Sequence, residues 1–234
     1  MILSTPGLVL HATPYSETSV VVKVFTRQLG LRSYIVKGVR GNRGRVKQNL
    51  LQPLSCLDMV VYNNEKSNLN YIKELSPRHP VAKANAVDNA LCFFMTEVLY
   101  KALREAEPIP DLWDYVEKAS GESETTEGSR RDVPIRFLLT VARHLGIEPM
   151  NNFSPSQPLF DLQEGRFVAT TTETTLSPAL STTLHNYLES PGATLSFPLD
   201  ERRSLIDALI AYYHLHLSGF GHFRSHEILH TILK

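Results

Sequence analysis

Residues 7–47, GLVLHATPYSETSVVVKVFTRQLGLRSYIVKGVRGNRGRVK, gather β-branched and aromatic residues into short runs cut by Gly, Pro and polar turn formers. That is the pattern of strands joined by tight turns. Leu8–Leu10, Ser19–Thr26 and Leu31–Lys37 read as three strands, and Leu54–Tyr62 and Asn70–Glu74 add two more. Asn63-Asn64 with Glu65 supplies a hairpin turn between the last two, and Leu29-Gly30 a tight turn in which glycine is free to take positive φ. A five-stranded sheet this short must curl on itself to bury one face and remove its edges, which predicts a small closed barrel.

The same stretch carries an unusual charge distribution. The whole chain of 234 residues is formally neutral, with 24 Lys+Arg against 24 Asp+Glu. Residues 1–80 nevertheless hold 11 Lys+Arg against 4 Asp+Glu, a net +7, and residues 81–234 hold 13 against 20, a net −7. Lys23, Arg27, Arg32, Lys37, Arg40, Arg43, Arg45 and Lys47 follow one another with no acidic residue between them. In KGVRGNRGRVK, glycines let the backbone approach a ligand while arginines offer forked donors that match phosphate oxygens. The spacing is neither a Walker loop nor a dinucleotide fingerprint. Nucleic-acid contact through these eight cations is the functional reading, and a solvated basic loop without a partner is the alternative. Phe25, Tyr34, Tyr62 and Tyr71 are candidate stacking platforms for bases, each competing with a core position.

After Pro80 the apolar period changes from 2 to 3.6. The run 81–107 is rich in helix formers and free of Gly and Pro, with a stripe of Leu91, Phe94, Met95, Val98, Leu99 and Ala102 that reads as core. A second helix starts near Asp111 and stops before Gly121, bringing Leu112, Trp113 and Tyr115 against its neighbour. GESETTEGS (121–129) reads as an exposed loop, and a third helix spans Val133–His144 with Gly146 as its cap. Asn151–Pro158 is irregular, LFDLQEGRFV (159–168) is a hairpin turning at Glu164-Gly165, and ATTTETTLS (169–177) is a Thr-rich connection. Helices over Glu201–Leu217 and Ser225–Lys234, separated by Gly219 and Gly221, close the chain. The expectation is an α+β chain: an N-terminal barrel over 1–80, then an all-α domain over 81–234 with a small β-hairpin insert at about 147–168.

Two cysteines, Cys56 and Cys92, cannot build a disulfide framework, so a reducing cytoplasmic setting is expected. The first 15 residues lack a basic leader region, and no run approaches the roughly 20 apolar residues of a membrane span. His226-Glu227-Ile228-Leu229-His230 matches HExxH, with His222 upstream, but a zinc peptidase needs a third protein ligand and only four residues follow His230. Packing or surface histidines are the competing reading. Arg130, Arg131, Arg136 and Arg143 form a second cationic set, either solvated or the rim of a site for an acidic peptide. No nucleophile elbow or paired carboxylates stand out, so no enzyme is expected.

Residues 7–41, with Tyr15-Ser16-Glu17, an apolar strand, Phe25-Thr26, Gly30, Lys37-Gly38 and a basic run, resemble the N-terminal region of the bacterial RecO family. FFMTEVLYKALRE, RFLLTVARHLGIEP, FDLQEGRF and the closing LSGFGHFRSHEILH are similar to that family's helical domain, insert and end. The resemblance implies an OB-fold barrel followed by a helical domain, and a recombination mediator of the cytoplasm and nucleoid. Such a mediator binds single- and double-stranded DNA and anneals complementary strands. It contacts the C-terminal tail of single-strand binding protein and works with RecR to load RecA. Some members carry a four-cysteine zinc site in the insert; residues 147–168 contain no Cys, so neither zinc nor another cofactor is expected there. The alternatives are an adaptor whose basic barrel meets an acidic protein and, more distantly, a zinc metallopeptidase.

Overall fold

The computed structural model describes residues 1–39, 48–64, 67–79, 85–103, 107–121, 127–191, 195 and 197–232. The elements are β1 (Ile2–Pro14), β2 (Val20–Thr26), β3 (Gly30–Val36), a 3-10 turn (Gln48–Leu51), β4 (Cys56–Tyr62), β5 (Leu69–Pro77), α1 (Ala86–Ala102), α2 (Pro110–Gly121), α3 (Glu127–His144), β6 (Leu159–Asp161), β7 (Arg166–Val168), α4 (Pro178–Glu189), α5 (Leu199–His216) and α6 (Ser225–Ile232). The chain divides into two compact units, Met1–Ser123 and Glu124–Lys234.

In the first unit the strands close in the order β1-β2-β3-β5-β4, antiparallel except for the parallel β3–β5 seam. Alternation along β2 and β3 puts Val20, Val22, Val24, Tyr34 and Val36 inside, where they meet Val9, Leu57, Met59 and Val61. Gly7 lines the same interior. A Cβ there would lie 2.5 Å from Val24 Cγ1 and 2.6 Å from Met59 Cε, so the barrel closes only over a hydrogen. β1 is much longer than the expected Leu8–Leu10. Its register slips between Val9 and His11, and this bulge lets one strand pair with β2 along its second half and β4 along its first. β4 is shorter than expected: Leu54 adopts φ 58 and its N–H bonds Val9 O at 2.8 Å, which ends the preceding turn before the strand starts at Cys56. Gly30 takes φ 67 as its position required, and Asn63 and Asn64 lie in the β4–β5 connection while Glu65 is outside the described residues.

α1 and α2 belong to the same unit as the barrel. Asn85 caps α1 by accepting from Asp88 N, and every member of the predicted stripe is buried. α1 is shorter than the sequence reading, because Leu103 turns to extended geometry (φ −80, ψ 134). Trp113 of α2 is buried and donates its Nε1–H to Phe25 O at 3.0 Å, while Asp114 accepts from Arg27 Nε at 2.7 Å and from one of its terminal nitrogens at 2.9 Å.

The second unit packs α3 and α4 against α5, with α6 on α5 and the β6–β7 hairpin on α4. Two sequence expectations are corrected. α3 begins at Glu127, not Val133, so residues 127–129 are helical and not loop. Pro134 lacks the N–H that would bond back one turn, so it resembles a helix start although seven helical residues, Glu127–Val133, precede it. α4 was not anticipated: its Ser and Thr residues have weak helical propensity, and burial of Ser181, Thr183, Leu184 and Tyr187 supplies what propensity does not. Ser177 caps it, accepting from Leu180 N at 3.3 Å, with Pro178 in its first turn; this Ser-Pro pair was the available signal.

Candidate nucleic-acid interface

The four candidate aromatic platforms separate cleanly. Phe25 and Tyr34 are fully buried, whereas Tyr62 and Tyr71 are 46% and 43% exposed. Tyr34 points into the barrel, and burial pushes its phenol up to about 12 against a lowering pull from Arg32. Phe25 falls on the other side of β2, where α2 reaches it through Trp113. Tyr62 and Tyr71 are direct cross-strand partners of β4 and β5, and Ile2 of β1, also exposed, pairs with Tyr62 on its other side. Cross-strand partners project from the same face of a sheet, so the two rings form one outer surface. Lys37, just past β3, holds its ammonium 4.9 Å from the centre of the Tyr71 ring. The following Gly38 has φ 71, which turns the chain where the Gly-Arg run begins.

Of the eight predicted cations, the other three described ones lie elsewhere. Lys23 sits 5.4 Å over the ring of Tyr100, which also meets His11 at 5.2 Å. Arg27 is taken up by Asp114, and this hydrogen-bonded pair holds the Asp114 carboxyl below its ordinary value. Arg32 donates to Leu29 O at 3.1 Å. The fold thus brings Lys37 to the exposed tyrosines, and gives Lys23, Arg27 and Arg32 contacts within the unit. Arg40, Arg43, Arg45 and Lys47 lie outside the described residues. Sequence reasoning named Tyr62 and Tyr71 but could not rank them above Phe25 and Tyr34, since all four occupy strands.

The family model described as "Recombination protein O N terminal" matches residues 1–81, the span of the barrel. Over the full length, the chain is 29% identical to the DNA repair protein RecO of Phocaeicola vulgatus, covering 100% of both. It is 25% identical to that of Azobacteroides pseudotrichonymphae, over 99% of both chains. With the DNA repair protein RecO of Porphyromonas gingivalis the identity is 30% over 243 residues, again 99% of each. The chain belongs to the RecO family. Its fold is the one that membership implies: an OB-fold barrel, then helices with a small two-stranded hairpin.

In this RecO chain the insert is held by packing and by one carboxylate. Phe160 and Phe167 are buried edge-to-face at 5.1 Å, and Phe160 N donates to Ser181 Oγ at 2.9 Å. Asp161 accepts from Gln163 N at 2.9 Å, Glu164 N at 2.8 Å and the hydroxyls of Thr172 and Thr174. Burial works against the charge on Asp161, but these donors prevail and leave its carboxyl below its ordinary value. The threonines of the low-complexity connection thus serve to tie it to the hairpin.

Of the arginines of α3, Arg136 and Arg143 are seven residues apart and share a helical face, while Arg130 and Arg131 point to others. Arg143 is paired with Glu148 at 2.7 Å. The HExxH histidines of α6 meet ring to ring, perpendicular, with centroids 5.7 Å apart. His230 lies 3.5 Å from Asp207, its backbone carbonyl accepts from Arg203, and burial pushes its imidazole down. The motif joins α6 to α5, which accounts for the histidines as packing residues. Among the described residues no helix is long and apolar enough to cross a membrane.

Proposed function

We propose that this RecO protein is a recombination mediator that holds single-stranded DNA on the outer face of its barrel. Tyr62 and Tyr71 stack bases there and Lys37 meets a phosphate, with Arg40, Arg43, Arg45 and Lys47, which follow it in the sequence, as further phosphate contacts. The observation that supports this most directly is the exposed cross-strand pair Tyr62–Tyr71 with the Lys37 ammonium over one ring. A π-face accepts any base, and cations beside it meet the phosphates, so binding is tolerant of sequence and sensitive to salt. Lys23, Arg27 and Arg32 extend the positive field of the barrel and serve double-stranded DNA. Neutralising phosphates on one or two strands lowers the repulsion that opposes annealing. In this reading residues 1–80 form the DNA-binding domain and residues 81–234 the partner-binding one, and the chain catalyses no covalent step. Family membership supports RecR, the C-terminal tail of single-strand binding protein and, indirectly, RecA as partners, with Arg130, Arg131, Arg136 and Arg143 offered to the acidic tail.

The test is anisotropy of a labelled single-stranded oligonucleotide at several salt concentrations. Replacing Tyr62 and Tyr71 by Ala should cost about 1–3 kcal/mol for each stacked base and leave the salt slope unchanged. Lys37→Ala should lower that slope by about 0.7. Wild-type affinity in the double tyrosine variant would overturn the assignment of this face.

A further inference from the structure

Among the described residues, one set of metal-ligating side chains stands close together: Cys56, His79 and Glu117, whose ligand atoms all lie within 4.8 Å of one another. They come from three segments of the first unit, namely the first residue of β4, the chain just past β5, and α2. Each segment is fixed by contacts of its own. Arg78 N bonds Cys56 O at 2.9 Å, which carries His79 back beside the start of β4. α2 is anchored by Trp113 on Phe25 O and by Asp114 on Arg27, and Glu117 lies one turn further along the same face.

We propose that Cys56, His79 and Glu117 form a zinc site. One thiolate, one imidazole and one carboxylate make a donor set that suits this borderline-soft ion. One of the three spacings is already near what a tetrahedral ion demands. His79 Nε2 and Glu117 Oε1 are 3.2 Å apart, and two ligands about 2.0–2.1 Å from a tetrahedral centre are separated by about 3.3 Å. Arg78 supplies the orienting shell: its Nε donates to Glu117 Oε1 at 2.7 Å and its terminal nitrogen to Asp58 at 2.8 Å. That clamp fixes the carboxylate, and the lone pair of Glu117 Oε1 that faces His79 is the one available to the ion. Cys56 is buried and His79 exposed, so the site opens on one side and water completes the fourth position. Cys56 enters as thiolate, its proton passing to the solvent. The ion would clasp the end of the barrel to α2, independently of DNA binding and in a different unit from the segment that holds the family's insert.

Cobalt(II) is the probe, titrated into the reduced full-length chain without an affinity tag. The expected result is one equivalent bound with a thiolate-to-cobalt charge-transfer band, displaced by zinc, and a raised melting temperature in zinc. Cys56→Ser should abolish the band. His79→Ala, at an exposed position that the fold tolerates, should weaken binding by at least about tenfold, while Cys92→Ser and His226→Ala should change neither. No charge-transfer band, a band that survives Cys56→Ser, or a band lost with Cys92 or His226 would overturn the proposal. Because the readout needs no DNA, it stands or falls apart from the tyrosine face.

Discussion

Asp132→Ala should nearly unfold the helical unit. The Asp132 carboxylate is fully buried and accepts from Tyr187 OH at 2.8 Å, Arg202 Nε at 3.0 Å and Leu195 N at 3.2 Å. Arg202 is itself only 7% exposed, and its remaining bonds, to the carbonyls of Phe197 and Leu195, are both long at 3.4 Å. Truncating Asp132 therefore leaves a guanidinium and a phenol without their charged partner, and breaking a buried pair in this way costs about 3–5 kcal/mol. Against a typical domain stability of about 5–15 kcal/mol this is a large share. Replacing both partners, Asp132→Leu with Arg202→Met, removes the uncompensated charge and should recover most of the loss. Urea unfolding followed by far-UV circular dichroism measures both variants. A loss below about 1 kcal/mol for Asp132→Ala, or a double variant as unstable as the single one, would refute the reasoning.

Changing Arg40, Arg43 and Arg45 together to Ala should weaken single-strand binding and flatten its salt dependence by about 0.7 for each lost phosphate contact, with the melting temperature unchanged. Gly30→Ala should destabilise the barrel by about 2 kcal/mol or more in chemical denaturation. Gly30 has φ 67, and the new Cβ would lie 2.4 Å from Glu107 O, a backbone atom that cannot swing away. Asp161 has a folded-state pKa below its ordinary 3.8, so its contribution is present above that value and lost as pH falls below it through the folded value. Unfolding measured across that acid range should be less pH-dependent in Asp161→Asn than in the wild type.

The order of barrel, helices and hairpin was legible in the residues because each rests on local patterning. Alternation along Ser19–Lys37 places one face of a strand inside, and apolar residues spaced three and four apart from Leu91 to Ala102 place one stripe of a helix inside. Gly30 and Gly146 could be read the same way, and both take positive φ. α4 escaped because its helix depends on partners far along the chain, Phe160 and Asp132 among them, which bond Ser181 and Tyr187.

The candidate interface shows where local pattern stops. Residue order and composition are enough to show that a neutral chain is a basic segment joined to an acidic one, and that four aromatic residues lie on strands of the basic part. Which of them meet solvent is settled by the packed fold. Tyr34 is closed inside the barrel and Phe25 is reached by α2, while Tyr62 and Tyr71 stand together on the open side beside Lys37. It likewise decided that Cys56, His79 and Glu117, 23 and 38 positions apart in the chain, share one corner. Periodicity tells which side of its own strand a residue takes; what covers that side is set by closure of the sheet and docking of a distant helix, and no local pattern records either.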